Sequence, residues 1–258
     1  MMERPVALVT GARRGIGKAI ALELADAGFD VAVTDVQPSA ELDGVCNSIR
    51  DRGSRAHAVI SDLGDIETHE ALFQNIEQHL GRVSCLVNNA GVSVLSRGDL
   101  LNVSAESYDR CLGVNTRGTF FLMQAFGKRF AGAGGAMTDP QPSIITITSS
   151  NAVAASPQRA EYCVSKAALS MATTLFSLRL APLGVNVYEV QPGFIETEMT
   201  APSKARYDAL IDQGLTAIKR WGKPSEVAKT IRTLATGGLP YSVGQAIRVD
   251  GGLLINKY

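Results

Sequence analysis

Residues 6–35 read VALVTGARRGIGKAIALELADAGFDVAVTD. Val6 to Thr10 is a short apolar run of strand character, and Gly11-Ala12-Arg13-Arg14-Gly15-Ile16-Gly17 follows it directly. Ile16 to Ala27 repeats apolar residues with a helical period and meets Gly28, a residue suited to closing a helix. Val31 to Thr34 is apolar again and ends at Asp35, 18 residues beyond Gly17. Strand, glycine-rich turn, helix, strand, acid: this order predicts a βαβ unit that holds a dinucleotide. The glycines let a pyrophosphate approach backbone N–H groups at a helix N-terminus, where the helix dipole favours an anion. The spacing is G-x-x-x-G-x-G rather than G-x-G-x-x-G, so the prediction rests on physical demands and context. Glycines that serve only a tight turn and helix packing are the competing reading.

The same alternation continues downstream. A helical stretch from Ala40 to Arg52 precedes a strand, Ala56 to Ile60, which ends at Ser61-Asp62-Leu63. Ile66 to Leu80 is helical in period, and Ser84 to Val87 is a strand running into Asn88-Asn89-Ala90-Gly91. Ala105 to Phe130 reads as one long helix carrying Asn115 in an apolar surround; a buried Asn there must find hydrogen-bond partners. Residues 131–142, AGAGGAMTDPQP, form a loop at the N-terminal rim of the sheet, away from the rim where open parallel sheets bind ligands. A β-branched strand follows from Ser143, with Ser149 and Ser150 at its C-terminal end. The next helix carries Tyr162 and Lys166 at i and i+4, about 6 Å apart along one face, and runs to about Leu180. Val185 to Val190 is a sixth strand, and residues 194–224 are expected to be a mobile substrate cover. Ser225 to Ala235 is a helix with Ser225 as candidate N-cap, and Gln245 to Val249 is the last strand. No repeat or linker divides the series. It predicts a single-domain α/β chain over residues 1–258, a doubly wound Rossmann fold of about seven parallel strands with helices on both faces.

Composition narrows the partners. Lys+Arg and Asp+Glu number 25 each, which leaves no net charge to attract nucleic acid or an anionic membrane. No apolar stretch approaches the roughly 18 residues of a membrane span, and the N-terminus has no signal-peptide pattern, so a cytoplasmic protein is expected. Cys46, Cys85, Cys111 and Cys163 stand singly, which reads as reduced, mostly buried thiols without zinc. His57, His69 and His79 show no metal spacing and read as surface or strand-edge residues; no metal is expected.

In a parallel sheet every strand's C-terminal end lies on one rim. The Gly11–Gly17 loop, Asp35, Asp62, Asn88 to Gly91, Ser149 and Pro192 to Thr197 all fall there. That coincidence points to a nucleotide-dependent enzyme, with a phenol beside an ammonium as its proton-transfer site. A tyrosine working near neutrality needs about 4 kcal/mol of preferential phenolate stabilisation, which a neighbouring lysine in a poorly solvated pocket helps to supply.

These motifs together resemble the short-chain dehydrogenases/reductases: Thr10-Gly-x-x-x-Gly-x-Gly17, Asn88-Asn-Ala-Gly91, Asn115, Ser149, Tyr162-x-x-x-Lys166 and Pro192-Gly193, spread over essentially the whole chain. The resemblance implies hydride transfer between a nicotinamide and a secondary alcohol or ketone. It makes Tyr162 the general acid/base and Ser149, with Ser150 as second choice, the group binding the substrate oxygen. Lys166 would hold the ribose and assist Tyr162, and Asn115 would link a proton relay. The cofactor is then expected against Gly11, Arg14, Gly15, Ile16, Gly17, Asp35, Asp62, Leu63, Asn89, Ala90, Gly91, Tyr162, Lys166, Pro192, Gly193, Ile195 and Thr197. Asp35 suits both adenosine ribose hydroxyls and repels a 2′-phosphate, whereas Arg14 suits that phosphate; NAD(H) is favoured over NADP(H).

Within that family the chain most resembles in feel the 3-oxoacyl-(acyl-carrier-protein) reductases, which share the ending Val249-Asp-Gly-Gly252. A small-molecule or acyl-thioester substrate is expected. Lys128, Arg129 and Arg179 are candidate docking cations for a carrier protein or simply solvated charges, and Leu178 stands where that subgroup can carry a docking arginine. Phe194, Met199 and Tyr207 either line the substrate cavity or only pack. A polyol, sugar or other secondary-alcohol dehydrogenase is the alternative within the enzyme class, and a non-catalytic NAD-binding regulator the alternative outside it. The resemblance also implies a homotetramer built on residues 105–130, 161–182 and the C-terminal region.

Overall fold

Strands that are apolar at nearly every position, such as Val6 to Val9, require cover on both faces of the sheet. The computed structural model, which describes residues 4–131 and 140–256, meets that demand. Strands β1 (Val6–Thr10), β2 (Asp30–Asp35), β3 (Ala56–Ile60), β4 (Val83–Asn88), β5 (Ser143–Ile147), β6 (Asn186–Pro192) and β7 (Ala246–Val249) form one sheet in the order β3-β2-β1-β4-β5-β6-β7. Every neighbouring pair is parallel.

Ala7 and Val9 of β1 face one apolar cluster with Ile20 and Leu24 of α1 (Gly15–Asp26), Val45 and Ile49 of α2 (Ala40–Arg50), and Val227 and Ile231 of α8 (Pro224–Ala235). Val6 and Leu8 face the opposite cluster with Phe73 and Ile76 of α3 (His69–Leu80), Leu122 and Phe126 of α5 (Thr119–Ala131) and Leu169 of α6 (Ala160–Leu180). The chain winds outward in both directions from β1, which pairs with both β2 and β4. The crevice beyond the C-terminal ends of β1 and β4 is therefore the topological switch point where ligands bind in such sheets.

Three expectations are corrected. Residues 105–130 are not one regular helix: α4 (Ala105–Cys111) passes into a π-helical segment, Leu112–Gly118, before α5 begins. A Cβ at Gly118 would lie 2.3 Å from the Leu63 carbonyl oxygen, so this segment is pressed against the turn after β3. Wide turns of this kind recur at functional sites, and Asn115 lies inside this one. Ser225 does not cap α8. Lys223 takes that position, its N–H donating to Glu226 Oε2 at 2.7 Å, because Pro224 at the first helical position needs no N–H partner. His69 is buried, not superficial; its Nε2 lies 3.1 Å from the Leu63 carbonyl oxygen, and burial pushes its pKa down. His57 and His79 do lie towards the edge at β3 and stack at 4.0 Å.

Most of the 131–142 loop, residues 132–139, lies outside the described residues. Among the described residues no helix is long and apolar enough to cross a membrane.

Candidate active site

The β1–α1 turn is shaped by what a side chain would hit. Gly11 has φ +64°, and a Cβ there would lie 2.9 Å from Ala90 Cα; a Cβ on Gly17 would lie 2.3 Å from the Gly11 carbonyl oxygen and 2.4 Å from Asn89 Nδ2. Thr10 Oγ1 accepts hydrogen bonds from the Asn89 and Ala90 N–H groups, both at 3.0 Å. Asn89 Nδ2 donates back to the carbonyls of Thr10 and Gly11 at 2.9 and 3.0 Å. The ends of β1 and β4 are thereby locked together. At the start of α1, Arg14 is the extended N-cap residue with no side-chain cap, and no acid stands in the first turn. The first N–H groups of α1 are left for an anion, so the residues present fit the pyrophosphate of a dinucleotide.

Farther along the rim, Asp35 Oδ1 accepts from the Val36 N–H at 2.9 Å, and Oδ2 lies 3.7 Å from Arg13 Nε. Arg13 also pairs with Glu41 at 3.1 Å, whereas Arg14 reaches across the cleft to Glu198. Arg13, not Arg14, is thus the cation beside Asp35. Asp62 Oδ1 accepts from the Gly64 N–H at 2.8 Å and holds the turn after β3.

Asn115 is fully buried and satisfied. Its Oδ1 accepts from the Val92 N–H at 2.7 Å, and its Nδ2 donates to the Val92 carbonyl and to Ser165 Oγ, each at 3.0 Å. It stands behind the cavity wall and ties the π-helical segment to the loop after β4 and to α6. Lys166 is buried and donates from Nζ to the Ile147 carbonyl at 3.0 Å. Burial pushes the Lys166 pKa down, Tyr162 opposes that shift, and the Arg159 guanidinium adds to it. Lys166 Nζ is 5.8 Å from the Tyr162 ring centroid. Among the described residues the Tyr162 hydroxyl has no protein partner, which leaves it for a ligand. Ser149 Oγ accepts from the Asn151 N–H at 3.1 Å.

One cavity of about 400 Å³ joins these groups: the glycine turn, Asp35, Asp62, Leu63, Asn89 to Gly91, Ser149, Tyr162, Lys166, Pro192, Gly193, Ile195 and Thr197 all line it. Of the expected site residues, only Asn115 stays outside the lining. On the far side, Phe194 packs at a tilt against Tyr207, ring centroids 4.4 Å apart, and meets Trp221 edge-on at 5.7 Å. Trp221 is in turn fixed by Asp208 of α7 (Lys204–Asp212), at 2.6 Å from its Nε1. Phe194, Met199 and Tyr207 border the cavity, together with Arg97 and Arg159.

Two residues escaped the sequence reading. Arg159 lies with its guanidinium carbon 4.0 Å from the Tyr162 ring centroid. Glu189 is buried within β6 and accepts from Thr148 Oγ1, from Gln191 Nε2 at 2.9 Å and from Ser170 Oγ at 2.7 Å, which anchors the strand end that presents Ser149. An arginine at a helix start and a glutamate inside an apolar run carry no signal until the fold is known. Of the two readings of Lys128, Arg129 and Arg179, charges with no part in docking at the cavity is the one their position supports. The Arg129 carbonyl accepts from Arg82, the residue before β4, and the Leu180 carbonyl accepts from the N–H of Val185, just before β6. Lys128, Arg129 and Arg179 therefore lie at the N-terminal rim, opposite the cavity. Arg129 is in addition paired with Glu70 and Glu77.

A family model described as Enoyl-(Acyl carrier protein) reductase matches residues 11–254. The chain belongs to the short-chain dehydrogenase/reductase family. A 3-oxoacyl-[acyl-carrier-protein] reductase of Synechocystis is 36% identical over 251 residues, 97% of each chain. A crystal structure of a 3-oxoacyl-[acyl-carrier protein] reductase from Brucella melitensis in complex with NAD is 44% identical, with a TM-score of 0.95 over 100% of both chains. A putative 2-deoxy-d-gluconate 3-dehydrogenase from Agrobacterium tumefaciens with bound NADP is 30% identical, with a TM-score of 0.87 over 99% of this chain and 98% of that one. This short-chain dehydrogenase/reductase is an NAD(P)-dependent oxidoreductase acting on a CH–OH or keto group.

Proposed function

We propose that the protein interconverts the ketone and secondary alcohol of a 3-oxoacyl group, with NAD(H) as preferred cofactor. The observation that carries this reading is the single cavity in which the glycine turn and the Ser149–Tyr162–Lys166 constellation meet. When bound, the nicotinamide supplies or accepts the hydride. Tyr162 gives its hydroxyl proton to the carbonyl oxygen during reduction and takes it back during oxidation. Ser149 hydrogen-bonds the same oxygen and fixes its position. Lys166, buried beneath, offers positive charge to the phenolate and hydrogen bonds to the ribose, and Asn115 holds the helical segment beside it. Gly11, Arg14, Gly15, Ile16, Gly17, Asn89, Ala90 and Gly91 form the phosphate side. Asp62 and Leu63 would flank the adenine, and Pro192, Gly193, Ile195 and Thr197 would flank the nicotinamide.

Asp35 supports NAD(H): its carboxylate sits at the end of β2, where a ribose 2′-hydroxyl is read. Arg14, the cation suited to a 2′-phosphate, is held instead by Glu198. The Brucella relative was crystallised with NAD. Residues 194–224 act as a mobile cover within a single domain, latched by Arg14–Glu198 and by Arg206, which donates to Gln158 at 2.6 Å. A homotetramer is supported by the exposed apolar stripe Val164, Met171, Leu175 and Leu178 on α6. Four unpaired cysteines suit the cytoplasm.

The Agrobacterium neighbour, named for a sugar acid, and the unpaired Arg159 favour a second reading, oxidation of a hydroxy acid. Steady-state kinetics with NAD(H) and NADP(H) against 3-oxoacyl compounds, sugar acids and neutral polyols tests the proposal. Higher kcat/KM for 3-oxoacyl compounds with NADH supports it, and a preference for neutral polyols refutes it.

A further inference from the structure

Among the described residues no acid answers the charge on Arg159. Its hydrogen bonds run to uncharged oxygens, Nη1 to Asn151 Oδ1 and Nη2 to Ser93 Oγ, both at 3.3 Å, and its Nε is buried without a partner. Among the described residues it forms no ion pair. The nearby acids are already engaged: Glu161 accepts from Ser107 Oγ at 2.5 Å, and Glu189 is surrounded by hydroxyl and amide donors. The acids that line the cavity lie elsewhere, Asp35 and Asp62 at the ends of β2 and β3, and Glu198 on Arg14. Arg97, an exposed second cation on the cavity wall, has no ion pair among the described residues either.

A half-buried guanidinium beside a buried lysine, with its Nε shut off from water, is better satisfied when an anion arrives to meet it. Nη1 and Nη2 each carry two N–H groups and use one, so each keeps one. Two donors on these nitrogens form the fork that matches a carboxylate. Because the guanidinium stacks on the ring whose hydroxyl handles the proton, that carboxylate and the reacting carbon must be close neighbours in one small molecule. A 3-oxo acid and the acid end of a polyhydroxy acid both meet this demand.

We propose that Arg159 binds a substrate carboxylate, so that the ketone or alcohol handled at Tyr162 belongs to a free oxo or hydroxy acid rather than to a neutral acyl thioester. The proposal rests on the hydride-transfer reading given above and narrows its substrate class. It adds no step to the reaction: the ketone gains a hydride and a proton as before, and the carboxylate stays unchanged.

The test compares acetoacetate with the N-acetylcysteamine thioester of the same acyl group, using NADH and the wild-type, Arg159→Gln and Arg159→Lys proteins, with NADH binding followed by fluorescence. The wild-type kcat/KM for the acid is expected to exceed that for the thioester by about tenfold or more. Arg159→Gln should lower the acid-to-thioester ratio by about a hundredfold, chiefly through the KM of the acid, and Arg159→Lys by less. If Arg159→Gln no longer binds NADH, the charge-retaining Arg159→Lys carries the comparison. A wild-type preference for the thioester, or equal losses on both substrates, would overturn the proposal and leave the hydride-transfer reading intact. Bound NADH with turnover of neither compound would overturn both.

Discussion

The two ends of the cleft are built from different materials. The cofactor end is made of backbone: glycines that cannot carry a Cβ, uncapped N–H groups at the start of α1, and Thr10 and Asn89 cross-linking two strand ends. The substrate end is made of side chains: the Phe194–Tyr207–Trp221 rings, Met199, and two cations that form no ion pair among the described residues. Backbone geometry admits few sequences, so it fixes the cofactor class. Side chains vary freely on the same frame, so they set the substrate.

Substitutions at the two ends should therefore fail in different ways. Of three such substitutions the largest effect on binding is expected at Gly17→Ala, whose new Cβ meets the Gly11 carbonyl at 2.3 Å. NADH affinity should fall by about a hundredfold, as overpacking against rigid backbone implies, in a titration of NADH fluorescence. Wild-type affinity would mean that the turn is looser than its contacts indicate. Next comes Asp35→Ala, which removes a charged acceptor for ribose hydroxyls. The NADP(H)-to-NAD(H) ratio of kcat/KM should rise by between about ten- and a hundredfold, and an unchanged ratio would remove Asp35 from cofactor choice. The smallest of the three is Phe194→Ala, which breaks a three-ring cluster on the cover. The KM for the oxo substrate should rise by about three- to tenfold with the NADH dissociation constant unaltered. A change in NADH affinity instead would blur the division between the two ends.

The same division explains what could be read in the sequence. Residues 6–35 imposed the fold, because strand period, glycine turn and terminal acid all constrain the backbone. The rim carrying Asp62, Asn89 and Ser149 followed from parallel topology alone. Arg159 and Glu189 were invisible because their roles depend on neighbours distant in the chain. The π-helical segment around Asn115 was missed because helical periodicity does not distinguish a wide turn from an α-helix over seven residues. The cations that close α5 and α6 teach a simpler lesson. A helix that follows a parallel strand runs away from the C-terminal rim, so Lys128, Arg129 and Arg179, in the last turns of α5 and α6, could only arrive at the opposite one.

The proposed function depends on Tyr162 as the proton-handling group of the shared cavity. Steady-state reduction of a 3-oxo substrate by Tyr162→Phe, with NADH binding measured alongside, addresses it most directly. The variant is expected to bind NADH still but to lose about 10²- to 10⁴-fold in kcat/KM; turnover within about threefold of wild type would contradict that role.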